Sequence, residues 1–299
     1  MKVGLIDVDG HHFPNLALMK ISAWHKLQGD DVGWCIPFDH YDIVYQSKVF
    51  DDTYSQDIDW EPWADKIVKG GTGYCLENKL PEEIEHIYPD YTLYPKLTKN
   101  TAYGFLTRGC PRGCSFCIVA PKEGRCSHKV ADLSEFWRDQ KNIKLLDPNI
   151  LACPDHMELL QQLIDSKSWV DFTQGLDIRL TNVDNIKLIN QIKVKEIHFA
   201  WYNAKDNLIP YFERYLKYAA HRPHGEFGTV YCLTNFDSTM DENLYRIYAL
   251  RDMGYDPYVM VYDKPNASKD ILRLQRWVNN RKIFRSCKNF EDYGKELMP

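Results

Sequence analysis

The sequence predicts an α/β protein built on parallel sheets. Short apolar runs alternate along the chain with segments of helical spacing, and glycine, proline or asparagine punctuates most of the joins. Strands that alternate with helices in this way build parallel sheets covered by helices. At 299 residues the chain is long enough for one large or two modest domains, each with its own core. The formal net charge of −5 gives no global basic field of the kind that attracts nucleic acid.

Residues 1–98 read as one unit. Val3 to Asp7 forms an opening strand, and the segment 16–29 has helical spacing and ends on Gly29, a C-cap signal. Further strands are expected over 31–35, 42–46 and 66–69, the last followed by Gly70-Gly71-Thr72-Gly73. Strand, helix and strand joined by short turns describe a small Rossmann-like doubly wound domain. Proline-containing sequence around Pro89 and Pro95 then marks a boundary near residue 98.

Residues 99–299 repeat a strand–helix unit. Strands are expected over 102–107, 142–147, 169–173, 196–200, 228–233 and 257–262. Helices between them are expected over 133–140, 156–165, 183–191, 209–219 and 241–253. A tail over 271–293 is expected to pack as a helix. In barrels of such units the chemistry sits at the carboxyl ends of the strands, a rule that selects candidate residues.

The most specific motif follows the first of these strands. In Gly109-Cys110-Pro111-Arg112-Gly113-Cys114-Ser115-Phe116-Cys117 the cysteines have the spacing Cys-x3-Cys-x2-Cys. Three thiolates can hold three irons of a cubane cluster and leave the fourth iron open to chemistry. Structural zinc, the alternative for clustered cysteines, wants four ligands, so Cys126 or His128 would have to complete the set. Cys126, Cys153, Cys232 and Cys287 read as single thiols and show no second cluster spacing. An odd total of nine cysteines argues against a disulfide framework and for a reducing cytoplasm. No signal peptide is evident, and no apolar run approaches the roughly 18 residues of a membrane span.

The cysteine run, with Phe116 before the third cysteine, resembles the signature of the radical S-adenosylmethionine (SAM) enzymes. The resemblance covers most of residues 102–263. It implies a partial (β/α)6 TIM-like barrel and a [4Fe-4S] cluster on Cys110, Cys114 and Cys117. It further implies chelation of the open iron by S-adenosyl-L-methionine, and an electron from a flavodoxin- or ferredoxin-type reductant. The loop Ile118-Val119 with Lys122, Glu123, Gly124 and Arg125 is similar to the stretch after the cluster in radical SAM methylthiotransferases.

Candidate SAM contacts follow from that resemblance and the strand-end rule. Phe116 lies in the loop itself. Asp147 and Asn149 follow the second strand, where the family often has a Gly-Gly-Glu stretch that is absent here; Asp147-Pro148-Asn149 is equally a good turn. Gln174, Asp177 and Arg179 follow the third strand. Arg179 suits a bidentate grip on a carboxylate, or an ion pair with Asp177 that steadies the loop. Trp201, Tyr202 and Asn203 end the fourth strand, Thr234, Asn235 and Asp237 the fifth, and Tyr262 and Asp263 the sixth. Of these, Trp201, Asn203, Thr234 and Tyr262 are the expected pocket contacts, and any of them could be a turn residue instead.

The N-terminal unit resembles the cobalamin-binding domain that precedes the barrel in one radical SAM subgroup. The matching elements are the opening strand, the helix after Phe13-Pro14-Asn15 and the Gly70-Gly71 turn. The Asp-x-His-x-x-Gly motif that supplies a cobalt ligand is absent: Asp9 stands where the histidine would, and His11 and His12 are at the wrong offset. A degenerate domain that covers the barrel or binds substrate is the first expectation, with cobalamin as an alternative. Three functions therefore stand open: a radical SAM enzyme acting on a peptide, RNA or small molecule, a cobalamin-dependent radical methylase, and a non-enzymatic metal-cluster sensor. None of them calls for a membrane.

Overall fold

A computed structural model describes residues 1–10, 13–221 and 227–294. His11 and His12 lie outside the described residues. The chain forms two compact units, Met1–Leu146 and Asp147–Pro299.

The first unit opens with β1 (Lys2–Asp7), α1 (Leu16–Leu27), β2 (Asp31–Trp34), β3 (Tyr41–Ser47) and β4 (Ala64–Gly70). All three pairings among these strands are parallel, in the order β2-β1-β3-β4. Helix α1 starts where Asn15 turns its side-chain oxygen to the amide of Leu18, an N-cap that satisfies one orphan donor. The same carboxamide donates to the Ser47 hydroxyl at 2.8 Å, so one buried asparagine ties the start of α1 to the end of β3. Val3 and Leu5 on one face of β1 pack with Leu18 and Ile21 of the helix and with Ile84 of the short α2 (Glu82–Glu85). Gly4 faces Tyr41, and a Cβ there would come within 3.0 Å of its ring.

The first unit continues with β5 (Thr101–Gly104), β6 (Thr107–Arg108), α3 (Val119–Glu123), β7 (His128–Lys129) and β8 (Asn142–Leu145). Strands β5 and β8 pair in parallel; β6 and β7 form a two-residue antiparallel ladder. The helix expected over 133–140 is a single 3-10 turn, Leu133–Glu135. A capping box at Asp132 builds that turn. Gln140 then stops it, because its side-chain oxygen takes the Arg138 amide and its carbonyl takes the Trp137 indole.

The second unit holds α4 (His156–Ser166), β9 (Trp169–Phe172), α5 (Val183–Ile189), β10 (Lys193–Ala200), α6 (Ile209–Tyr218), β11 (Thr229–Thr234), α7 (Met240–Asp252), β12 (Asp256–Val261), α8 (Lys269–Asn279) and α9 (Arg281–Ser286). Its strands run in the sequential order β9-β10-β11-β12, every pair parallel. Phe199 of β10 packs edge-on against Phe212 and Tyr215 of α6 and against Tyr255. The tail is two helices and not one. Asn280 ends α8 and caps α9, accepting from the amides of Lys282 and Ile283.

No described helix is long and apolar enough to cross a membrane. Replacing Asn15 with Ala removes both the N-cap and a buried side-chain bond. It should cost about 1–3 kcal/mol, read as a lower urea midpoint with an unchanged slope.

Candidate functional site

The three motif cysteines lie on the excursion between β6 and β7, and all are partly buried. The base of this loop is locked by one carboxylate. Glu123 accepts from the Gly109 amide at 3.1 Å and pairs with the Arg108 guanidinium at 2.7 Å. Arg108 also stacks over the Phe105 ring at 3.5 Å. Across the loop the Cys110 amide donates to the Gly124 carbonyl, and the Cys117 amide to that of Cys114. Gly109 is required: its φ is +82°, and a Cβ would sit 2.2 Å from the Cys126 carbonyl oxygen. The segment expected as open loop after Cys117 forms α3, with Pro121 in its first turn, where its missing N–H costs nothing. Lys122 of α3 donates to the Thr72 hydroxyl, and burial pushes its pKa down.

The Gly70–Gly73 turn and Asp9 serve the fold of their own unit. A Cβ on Gly71 would meet the Lys48 carbonyl oxygen at 2.3 Å, and one on Gly73 the Phe50 carbonyl oxygen at 2.2 Å. The close backbone approach that these glycines permit is thus to the chain after β3. Asp9, at the position of the cobalt-ligating histidine in the subgroup, accepts from the amides of Val49 and Phe50. Tyr94 donates to Asp7 at 2.5 Å.

In the second unit the strand ends are occupied largely by local contacts. Asp147 and Asn149 are buried and Gln174 is exposed. Asp177 caps a 3-10 turn, Ile178–Leu180, and accepts from Arg179 Nε at 2.8 Å; Arg179 also reaches Asp206 at 3.2 Å. This is the loop-steadying ion pair that the sequence allowed. Trp201 has no exposed surface, packs against Phe212 and Tyr245, and donates its indole N–H to the carbonyls of Asn203 and Asp206. Asn203 accepts from the Lys205 amide, as a turn residue does. Thr234 is fully buried and donates to the Met260 carbonyl; Tyr262 is exposed and packs edge-on against Phe236.

Two features were not read from the sequence. Arg246 of α7 is fully buried. Its guanidinium donates to the carbonyls of Trp201, Tyr202 and Leu233 and to the Asn243 side chain, all within 2.9 Å. It thereby fixes the carboxyl ends of β10 and β11, and burial pushes its pKa down. The second feature is a polar strip inside the sheet. Asp171 of β9 and Glu196 and His198 of β10 each offer a ligand atom within 4.8 Å of the others. His198 stacks on Tyr231 of β11 at 5.3 Å, and Tyr231 meets Tyr258 of β12 edge-on. Burial lowers the His198 pKa although both carboxylates raise it, and burial lifts Tyr231 to about 12. The available signal was the interruption of apolar strands by Asp171, Glu196 and His198.

No protein-family model matches the chain, and no curated protein matches it.

Arg246→Met should destabilise the protein by about 3 kcal/mol or more, since it strands buried carbonyls. Arg246→Lys should restore only part of that, because an ammonium cannot reproduce the planar fork. Denaturant midpoints of the two variants decide the matter.

Proposed function

We propose that the chain is a radical SAM-type enzyme whose cluster is carried by Cys110, Cys114 and Cys117. The observation that carries this reading is the Cys-x3-Cys-x2-Cys run on a loop whose base is pinned by Arg108, Gly109 and Glu123. The donor set fits a [4Fe-4S] cluster: three partly buried thiols within eight positions, with no acidic residue between them. When bound, such a cluster delivers the electron that splits SAM into methionine and a 5′-deoxyadenosyl radical.

This chain's own residues would perform the remaining tasks. Glu123 and Arg108 hold the loop closed at its base, and Gly109 lets the backbone pass beneath Cys126. Cys110, Cys114 and Cys117 supply thiolates, and their partial burial limits access of water and oxygen. The parallel strands, paired β5 with β8 in the first unit and sequentially from β9 to β12 in the second, suit the wall of a (β/α)6 barrel, which we assign as the finer fold. A flavodoxin- or ferredoxin-type protein is the reductant class that matches this chemistry. The reading rests on the loop of the first unit and routes no step through Asp177 or Arg179, whose charges are engaged with each other and with Asp206.

The test is anaerobic. Protein reconstituted with iron and sulfide, then given dithionite and SAM, should yield 5′-deoxyadenosine by mass spectrometry, and Cys114→Ala should reduce the yield to background. Deoxyadenosine retained in Cys114→Ala, or one zinc per chain in place of iron, would overturn the assignment.

A further inference from the structure

We propose that Asp171, Glu196 and His198 form a second metal site, one that binds a divalent transition-metal ion of the manganese, iron or zinc class through two carboxylates and one imidazole. The site lies within the second unit and does not depend on what the cysteine loop holds.

The first argument is register. Along β9 and β10, Val194 pairs with Val170, but the next partner of Asp171 is Glu196, because a bulge skips Lys195. In unbroken register Lys195, a cation, would stand opposite Asp171. The bulge replaces it with a second carboxylate and returns His198 to the same face two residues later. Bulges recur where a strand must re-aim a side chain, often beside functional sites. Like charges directly opposed on neighbouring strands are destabilising, and burial enlarges the cost. Asp171 is only 2% exposed and His198 9%.

The second argument concerns the imidazole. One His198 nitrogen, Nε2, lies 3.3 Å from a Glu196 carboxylate oxygen. The other, Nδ1, is buried and has no hydrogen-bond partner among the described residues. A neutral imidazole carries one N–H and one lone pair, so the ring faces Glu196 with one nitrogen and leaves the other desolvated. The ring is held in place by its stack on Tyr231.

The third argument is reach. The three ligand atoms lie within 4.8 Å of one another, and metal–ligand bonds of about 2.0–2.2 Å span such a group after small side-chain adjustments. Oxygen and imidazole donors without thiolate suit manganese, ferrous iron and zinc. Three protein ligands leave coordination positions for water, so the ion would be open to a further ligand.

Manganese(II) is the probe, because a thiolate loop disfavours it. Full-length chelator-treated protein is titrated with Mn2+, and free ion is followed by electron paramagnetic resonance. One Mn2+ should bind per chain. Glu196→Gln and Asp171→Asn should each weaken binding by roughly 10-fold or more, whereas Cys114→Ala should leave it unchanged. Circular dichroism establishes that each variant is folded, and the near-isosteric, half-buried Glu196→Gln is the safer of the two. Absence of Mn2+ binding to the wild type, or wild-type affinity in a folded Glu196→Gln, would overturn the site. So would loss of binding in Cys114→Ala. The cysteine assignment would survive the first two outcomes, since its own test reads deoxyadenosine.

Discussion

Parallel strand pairing is the constraint on which the rest of this molecule depends. Apart from the two-residue ladder of β6 and β7, every strand pair registered among the described residues is parallel. A parallel pair cannot be closed by a tight turn, so each strand end must hand the chain to a crossover. Carboxyl ends then gather on one edge of a sheet, where backbone carbonyls run out of ladder partners. The second unit meets that need with a side chain. Arg246 reaches from α7 to the carbonyls of Trp201, Tyr202 and Leu233, at the ends of two adjacent strands. Its five donors in one plane suit the task, and among the described residues they go to carbonyl and carboxamide oxygens. The polar strand end is therefore held by a helix, and the loops that follow start from fixed positions.

The same constraint explains why strand-end residues are poor evidence for a ligand when read alone. Asp177 with Arg179, Asn203, and Asp9 in the first unit all carry polar groups of the type that hold cofactors. In the structure Asp177 caps a turn and pairs with Arg179, Asn203 closes a turn, and Asp9 collects two backbone amides. A chain leaving a parallel sheet needs such groups whether or not anything binds there. The cysteine loop differs in kind. No fold requirement calls for three thiols in eight positions, whereas the residues that shape the loop, Gly109, Glu123 and Arg108, are those a fold requirement explains.

Much of the fold was legible because strands and helices announce themselves locally. The runs at 142–147, 169–173 and 228–233 are short, apolar and bounded by turn residues, and strands β8, β9 and β11 stand there. The parallel α/β class followed from their alternation with helices. Local pattern failed where a side chain intervened. Gln140 stops a helix that the spacing over 133–140 favoured, and Asn280 splits the tail into α8 and α9. Of the candidate residues, the three cysteines carried a spacing that sequence can display. Trp201 did not: only packing against Phe212 and Tyr245 reveals it as core. Arg246 was invisible because the strand-end carbonyls it holds belong to residues 13 to 45 positions away, which no side-chain motif encodes.

The bulge in β10 belongs to the same class of hidden information, and it bears on the electrostatics of the second unit. Alternation alone puts Lys195 on one face and Glu196 on the other. Only the pairing with β9 shows that Glu196 is the residue set against Asp171. A sheet that brings two carboxylates together under cover must offset their repulsion with a proton, a fixed cation or a bound one. The divalent ion proposed above would neutralise both carboxylates at once and take an imidazole nitrogen as third ligand. The three groups stand on one face of two adjacent strands, with the ring already fixed by its stack on Tyr231.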